Sequence, residues 1–283
     1  MNLNKSLKNK ELLLYFRKSK PAKESFAKGK SKKLFDRASG IYFGEEFCEY
    51  LTPSLKETKE IFLISQKAGK SFTFITTITS NKLIKFYLKI FDFLNQQYNC
   101  KVVVNDWGVL YALKHNFKNI KPVLGRLLMK NKRYIYKKIS PDTEGLNIKD
   151  ISEINRGQLN AMRQTNFMIK EYQEFLKKYN IESIDIDLPP QGITLGNISG
   201  FSFGFYYPWG HLTNGRTCTY SPNNRFYVSS TSCKKECLRE NNSLIKSNQW
   251  NADLLKTANA LLYRLNINEI PNFIRRVIYQ IDI

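Results

Sequence analysis

A chain of 283 residues, 42% of them hydrophobic, is long enough for one large domain or two small ones and apolar enough to bury a full core, which excludes a disordered or fibrous class. A formal net charge of +21, from 45 Lys and Arg against 24 Asp and Glu, favours an anionic partner such as RNA through its basic surface, although a Lys-, Asn- and Ile-rich composition can carry the same surplus with no partner. No run approaches the ~20 apolar residues of a membrane span and none has the form of a secretory signal, so a cytoplasmic, reducing setting is expected, where five cysteines point to metal or catalysis rather than disulfides.

Much of the charge comes early. Residues 1–40 hold twelve Lys or Arg and three acids, and 18–33 is short of apolar residues and contains Pro21 and Gly29. Residues 1–39 are therefore expected to be a basic flexible N-terminal arm, either docking on RNA or simply solvated.

From residue 40 onward apolar β-rich runs alternate with helical patterns. Gly40 to Phe43 predicts a short strand. Residues 54–69 predict a helix with Ser54 as N-cap, Glu57 three residues later and Gly69 as the stop. Phe72 to Ile78 is a strand of aromatic and β-branched residues. Asn81 to Tyr98 repeats Leu83, Ile84, Tyr87, Leu88, Phe91 and Leu94 at helical spacing. Lys101 to Val104 is a buried strand, Trp107 to His115 a helix, and Pro122 to Leu128 another strand. Ile169 to Tyr179 is a helix, and Ser183 to Leu188 a strand ended by Pro189-Pro190. Strand and helix in alternation with short connections imply βα units and a parallel sheet. The fold class is α/β. A (β/α) TIM-like barrel, complete or irregular, over residues 40–283 is the first choice, and a doubly wound open sheet the second.

The pattern then changes. Ile198 to Tyr207 is an extended, Gly- and aromatic-rich run in which Phe201, Phe203 and Phe205 share one face. Residues 208–242 read as a loop insert holding three of the five cysteines, which suggests that something such as a metal centre organises it. Residues 251–265 predict a helix, and Arg276 to Ile281 a final strand.

Within the insert, Cys218 is followed by Cys233 and, after three residues, Cys237. Arg216, Lys234, Lys235 and Arg239 surround them, and cationic neighbours lower a thiol pKa and offset the charge of a thiolate-ligated cluster. A fourth ligand is needed. Cys48, just past the Gly40–Phe43 strand, falls at the C-terminal rim of a parallel barrel, whereas Cys100 begins a buried strand at the opposite end. Structural zinc also takes four cysteines, so spacing leaves the metal open.

Four carboxylates are candidate acid–base groups. Asp185 and Asp187 alternate with Ile184, Ile186 and Leu188 and so share one face of a strand, expected to be the barrel lumen. Asp106 ends a strand at the functional rim, with helix N-cap as the alternative. Glu46 and Glu45 adjoin Cys48, and at least one of them is expected to face its cavity. Of the two histidines, His115 lies near a helix end and His211 precedes the cysteine loop.

Tyr42-Phe43-Gly44-Glu45-Glu46-Phe47-Cys48, Val104-Asn105-Asp106-Trp107-Gly108-Val109-Leu110, Pro208-Trp209-Gly210-His211 through Arg216-Thr217-Cys218, and the Cys233 and Cys237 pair occur in that order. Over about residues 40–240 this resembles peptidase family U-32 (collagenase-like), nearest its ubiquinone-biosynthesis branch of the UbiU/UbiV type. The resemblance implies a barrel-like α/β fold and a 4Fe–4S cluster on Cys48, Cys218, Cys233 and Cys237. It also implies oxygen-independent hydroxylation of a quinone precursor or an RNA base, with peptidase activity as an alternative. A further alternative is a non-catalytic, cluster-binding subunit in a heteromer with a second family member. The rebuilt Cys218–Cys233 loop, with Asn223, Asn224 and Tyr227, and the Lys-rich segment before residue 40 depart from the family pattern.

Overall fold

The computed structural model describes residues 9–27, 30–133, 156–215, 218, 220, 233–238, 243–246, 252–267 and 269–282. Its strands, in chain order, are β1 (Glu11–Phe16), β2 (Gly40–Gly44), β3 (Ser71–Ile75), β4 (Lys101–Val104), β5 (Lys121–Leu124), β6 (Ser183–Ile186), β7 (Ser202–Tyr207), β8 (Trp209–Asn214), β9 (Ser243–Ile245), β10 (Leu254–Thr257), β11 (Ala260–Arg264) and β12 (Ile274–Gln280). Its helices are α1 (Ser19–Ala27), α2 (Lys30–Arg37), α3 (Leu55–Lys67), α4 (Asn81–Asn95), α5 (Trp107–Asn116), α6 (Arg156–Arg163) and α7 (Lys170–Lys178).

Strands β1 to β7 and β12 close into an eight-stranded barrel in the order β1-β12-β7-β6-β5-β4-β3-β2, and every neighbouring pair is parallel. The TIM-like α/β expectation therefore holds. The apolar residues explain closure: a parallel strand covered on both faces reads as a continuous hydrophobic run, as in Leu12–Phe16 and Val102–Val104. Alternate residues turn outward to pack under the helices, among them Leu12, Leu14, Phe43, Phe74, Val102 and Phe203. The others turn inward, where Leu13, Tyr15, Tyr42, Ile75, Val103, Val123, Tyr206 and Ile278 fill the lumen.

The expectation of a flexible arm over residues 1–39 is corrected. Glu11–Phe16 is the first barrel strand, paired with β2 on one side and β12 on the other. The two helices after it pack on the barrel, with Phe26 and Phe35 edge to face at 4.2 Å, and Lys23 Nζ 2.5 Å from Glu60 of α3. High local charge hid a short apolar strand whose partners lie elsewhere in the chain, one of them more than 260 residues away. Residues 1–8 of that arm lie outside the described residues.

Two further expectations change in the insert between β7 and β12. Part of the 208–242 loop is strand β8. The helix expected over 251–265 is instead the hairpin β10–β11, with Ala258 left-handed at its turn (φ 49°). Leu254, Leu255, Leu261 and Leu262 suit either period, and pairing with β8 and β9 in a four-stranded antiparallel sheet, ordered β8-β11-β10-β9, decides the outcome. That sheet packs on the C-terminal mouth of the barrel, where Leu255, Ala260 and Leu262 meet Phe47 after β2 and Leu127 after β5.

Gly44 sets the exit from β2. Its φ is +148°, and a Cβ there would lie 2.2 Å from the Ile75 carbonyl oxygen. Only glycine keeps β2 against β3 while turning Glu45 and Glu46 inward. Gly44→Ala is expected to lower stability by more than ~1 kcal/mol in thermal unfolding; an unchanged Tm would show that the exit can relax.

Candidate functional site

The mouth is built from residues just past the C-terminal ends of the barrel strands, where a parallel barrel collects polar groups. Arg126, two residues beyond β5, is completely buried and organises them. Its Nε and Nη2 donate to the two oxygens of Glu46 at 3.1 and 2.7 Å, and its Nη1 donates to Asp187 Oδ1 and the Trp209 carbonyl, each at 3.0 Å. The guanidinium lies over Tyr206 at 3.9 Å and Phe47 at 5.4 Å. Arg133 donates to the other Asp187 oxygen at 3.1 Å. Alongside, Arg17 pairs with Glu45 at 2.7 Å and donates to Thr257 Oγ1 of the capping sheet at 2.6 Å. One layer down, Arg276 pairs with Asp185 at 3.2 Å. Gly204 makes room there, since a Cβ would approach Asp185 Oδ1 to 2.8 Å.

Each candidate carboxylate is thus accounted for. Asp185 and Asp187 both face the lumen, at different depths, and both are held by arginines. Glu46 lies under the mouth against Arg126, and neither it nor Glu45 lines the cysteine cavity, contrary to expectation; Glu49 and Glu236 do. Asp106 is the N-cap of α5: its Oδ1 accepts from Gly108 N and Val109 N at 2.8 and 3.3 Å, and its Oδ2 from Thr79 N at 3.3 Å. Capping and cross-linking occupy both oxygens, which favours the cap over the acid–base role. Burial raises the Glu46 and Asp185 carboxyls above their usual range, against the pull of Arg126 and Arg276 respectively. Burial also pushes Asp187 upward, but Arg126 and Arg133 outweigh it and hold that carboxyl below its usual range.

Above this layer, Cys48, Cys218, Cys233 and Cys237 all line one cavity of about 290 Å³, together with Phe47, Leu51, Ile78 and Ala258. Cys48 immediately precedes the short 3-10 turn Glu49–Leu51, and Cys233 and Cys237 bracket Lys235, which is left-handed (φ 56°). All four are half-buried, whereas Cys100 is buried at the start of β4. Arg216 lies outside the described residues. The expected lowering of the thiol pKa by cationic neighbours fails where a shift is resolved. Burial, then Glu45, pushes Cys48 up to about 12, and burial, then Cys218, raises Cys237 despite Arg17. Lys234 and Lys235 are exposed, and Lys235 acts on the Glu57 carboxylate.

Among the described residues, no three His, Cys, Asp or Glu side chains converge closely enough to hold one metal ion. Four thiolates on a single zinc would sit about 3.8 Å apart, given tetrahedral geometry and a Zn–S bond of about 2.3 Å. Four thiols lining one cavity are a donor set that a single zinc and an iron–sulfur cluster both take.

His211, on β8, stacks its ring on Phe47 with centroids 5.5 Å apart. Its backbone N–H, not its ring, donates to Asp187 Oδ1 at 2.9 Å. Burial, only partly offset by Asp187, lowers its pKa to about 3, so the ring is neutral at ordinary pH. His115 ends α5 and packs its ring against Tyr111 at 4.2 Å.

Sequence reasoning missed Arg17, Arg126, Arg133 and Arg276. The available signal was position: Arg17 and Arg126 stand within two residues of the C-terminal ends of barrel strands, as Glu46 does. Among the described residues, no helix is long and apolar enough to cross a membrane.

No family model and no curated protein matches this chain. Among solved structures, that of the U32 peptidase Mk0906 is similar to it, with a TM-score of 0.42 at 8% identity, covering 96% of this chain and 93% of that one.

Proposed function

We propose that this chain is an iron–sulfur protein of the U-32 peptidase-like kind, with a 4Fe–4S cluster held by Cys48, Cys218, Cys233 and Cys237 over the barrel mouth. We further propose that it serves oxygen-independent hydroxylation of an aromatic small molecule or an RNA base. One observation carries the reading: the four thiols come from positions far apart in the chain and line one cavity, while the fifth thiol lies in the core.

A bound cluster would supply one-electron transfer there. The chain's own residues prepare the site. The thiols must give up protons on loading, and from a Cys48 pKa near 12 that release is large, so loading should strengthen as pH rises. Phe47, Leu51 and Ile78 give the cavity an apolar side, and the Arg126 guanidinium beneath lies over the Phe47 ring. Hydroxylation without molecular oxygen balances as ring C–H plus water giving C–OH, two protons and two electrons, the electrons passing to a flavin- or quinone-class carrier.

The peptidase alternative has less support. Among the described residues neither ring nitrogen of His211 has a hydrogen-bond partner of good geometry, and Asp187 engages its backbone, so among them this histidine forms no nucleophile–base–acid relay. A non-catalytic subunit would bind iron yet show hydroxylation only with a second chain.

Protein purified without oxygen is expected to be brown, with about four iron and four sulfide per chain. Cys218→Ala should lower both. Colourless protein carrying one zinc per chain would sink the reading.

A further inference from the structure

Beside the cysteine cavity, and sharing Ile78 and Asn214 with it, lies a second cavity of about 610 Å³. Lys130, Asn131, Lys132, Arg133 and His211 line it, and among the described residues no Asp or Glu does. Three of these side chains carry buried polar atoms that find no hydrogen-bond partner among the described residues: Oδ1 of Asn131, Nε of Arg133, and both ring nitrogens of His211. His211 is only 6% exposed, and the nearby Asn214 amide influences the ring without reaching good hydrogen-bond geometry.

Buried polar atoms without partners cost stability, and three side chains that carry such atoms and line one cavity are the arrangement a ligand would complete. The needs are specific. Asn131 Oδ1 requires a donor, Arg133 Nε an acceptor, and a neutral imidazole one of each. Charge adds a second constraint. Among the described residues, Arg126 and Arg133 balance Glu46 and Asp187, so the excess positive charge of this cavity comes from Lys130 and Lys132 at its exposed rim.

We propose that this second cavity binds a small hydroxylated organic anion. Its carboxylate or phosphate is held by Lys130, Lys132 and Arg133, and its hydroxyl meets Asn131 and His211. The site needs no iron, and its place beside the thiols would bring that molecule next to whatever the cysteine cavity holds.

Isothermal titration of the whole chain at low salt tests this with two probes, L-malate for a carboxylate source and glycerol 3-phosphate for a phosphate source. One saturable site per chain is expected for at least one probe, and the tighter probe identifies the source. The double variant Lys130→Gln/Lys132→Gln should weaken it about tenfold or more, as should His211→Phe, because each removes charge-assisted or buried hydrogen bonds. Binding by neither probe, or binding unchanged in these variants, overturns the site. The lysine positions are exposed, so that variant stays informative if His211→Phe does not fold. Cys218→Ala should bind the probe as the unaltered protein does, whatever its iron content; loss of binding there would overturn a separate site.

Discussion

Replacing Arg126 by methionine is expected to cost about 3–5 kcal/mol, a large share of the total stability of an ordinary domain. The guanidinium is wholly buried and makes four hydrogen bonds. Without it, Asp187 keeps Arg133, but Glu46 is left buried with no cation. An uncompensated buried carboxylate must either take up a proton or open the mouth to water. Lysine should rescue little, because it cannot make the two-pronged contact with Glu46 or the flat stack on Tyr206. The informative variant is the pair Arg126→Met/Glu46→Met, which removes both members. It should recover much of the loss, since apolar replacement of a whole buried pair is often nearly neutral. Chemical denaturation of the two single variants and the double gives the coupling. If Arg126→Met alone melts with the unaltered protein, the network contributes nothing and the mouth is held by the apolar contacts of Phe47, Leu127 and Leu262 instead.

Acid should weaken the fold from an unusually high pH, through His211. Its folded pKa, near 3, lies below the ordinary value of 6.5. The unfolded chain therefore takes up a proton before the native state does. The stability contributed by the neutral ring is complete above about 6.5 and is lost as pH falls toward 3, at about 1.4 kcal/mol per pH unit. Asp187, held down by Arg126 and Arg133, acts in the same direction at lower pH, because it resists protonation that the unfolded chain accepts. Glu46 and Asp185, raised by burial, act oppositely. The His211→Phe variant isolates the histidine, since a phenyl ring can keep the stack on Phe47. The unaltered protein should lose stability relative to this variant steadily between pH 6.5 and 5, as followed by denaturant midpoints. Parallel pH curves would mean that the ring is hydrated and titrates as an ordinary histidine.

Both effects come from a feature of the barrel that no single segment announces. Four arginines and four carboxylates pair inside it or at its mouth, above and below an apolar belt of Tyr15, Tyr42, Val103 and Tyr206. Each arginine looks ordinary in sequence, lying between residues of no marked pattern. Only closure of the barrel brings Arg126 to Glu46, eighty positions away, and Arg276 to Asp185, ninety-one away.

The sequence by itself determined the barrel's repeating units. Ser54 and Glu57 form the expected capping box at the start of α3, and Lys101–Val104 is a strand as read, because caps and apolar period act over a few residues. It also brought Cys48 together with Cys218, Cys233 and Cys237 as candidates, which the structure lines up around one cavity. Tertiary structure decided the rest. It made Leu12–Phe16 a barrel strand rather than part of a loose arm, and it made 254–264 a hairpin rather than a helix. It also set Asp106, Asp185, Asp187 and Glu46 against partners that neutralise or cap them. The reason is common to all of these. A short apolar run or a lone charge takes its state from the neighbour it finds, and in a closed barrel those neighbours are set by strand order around the ring rather than by distance along the chain.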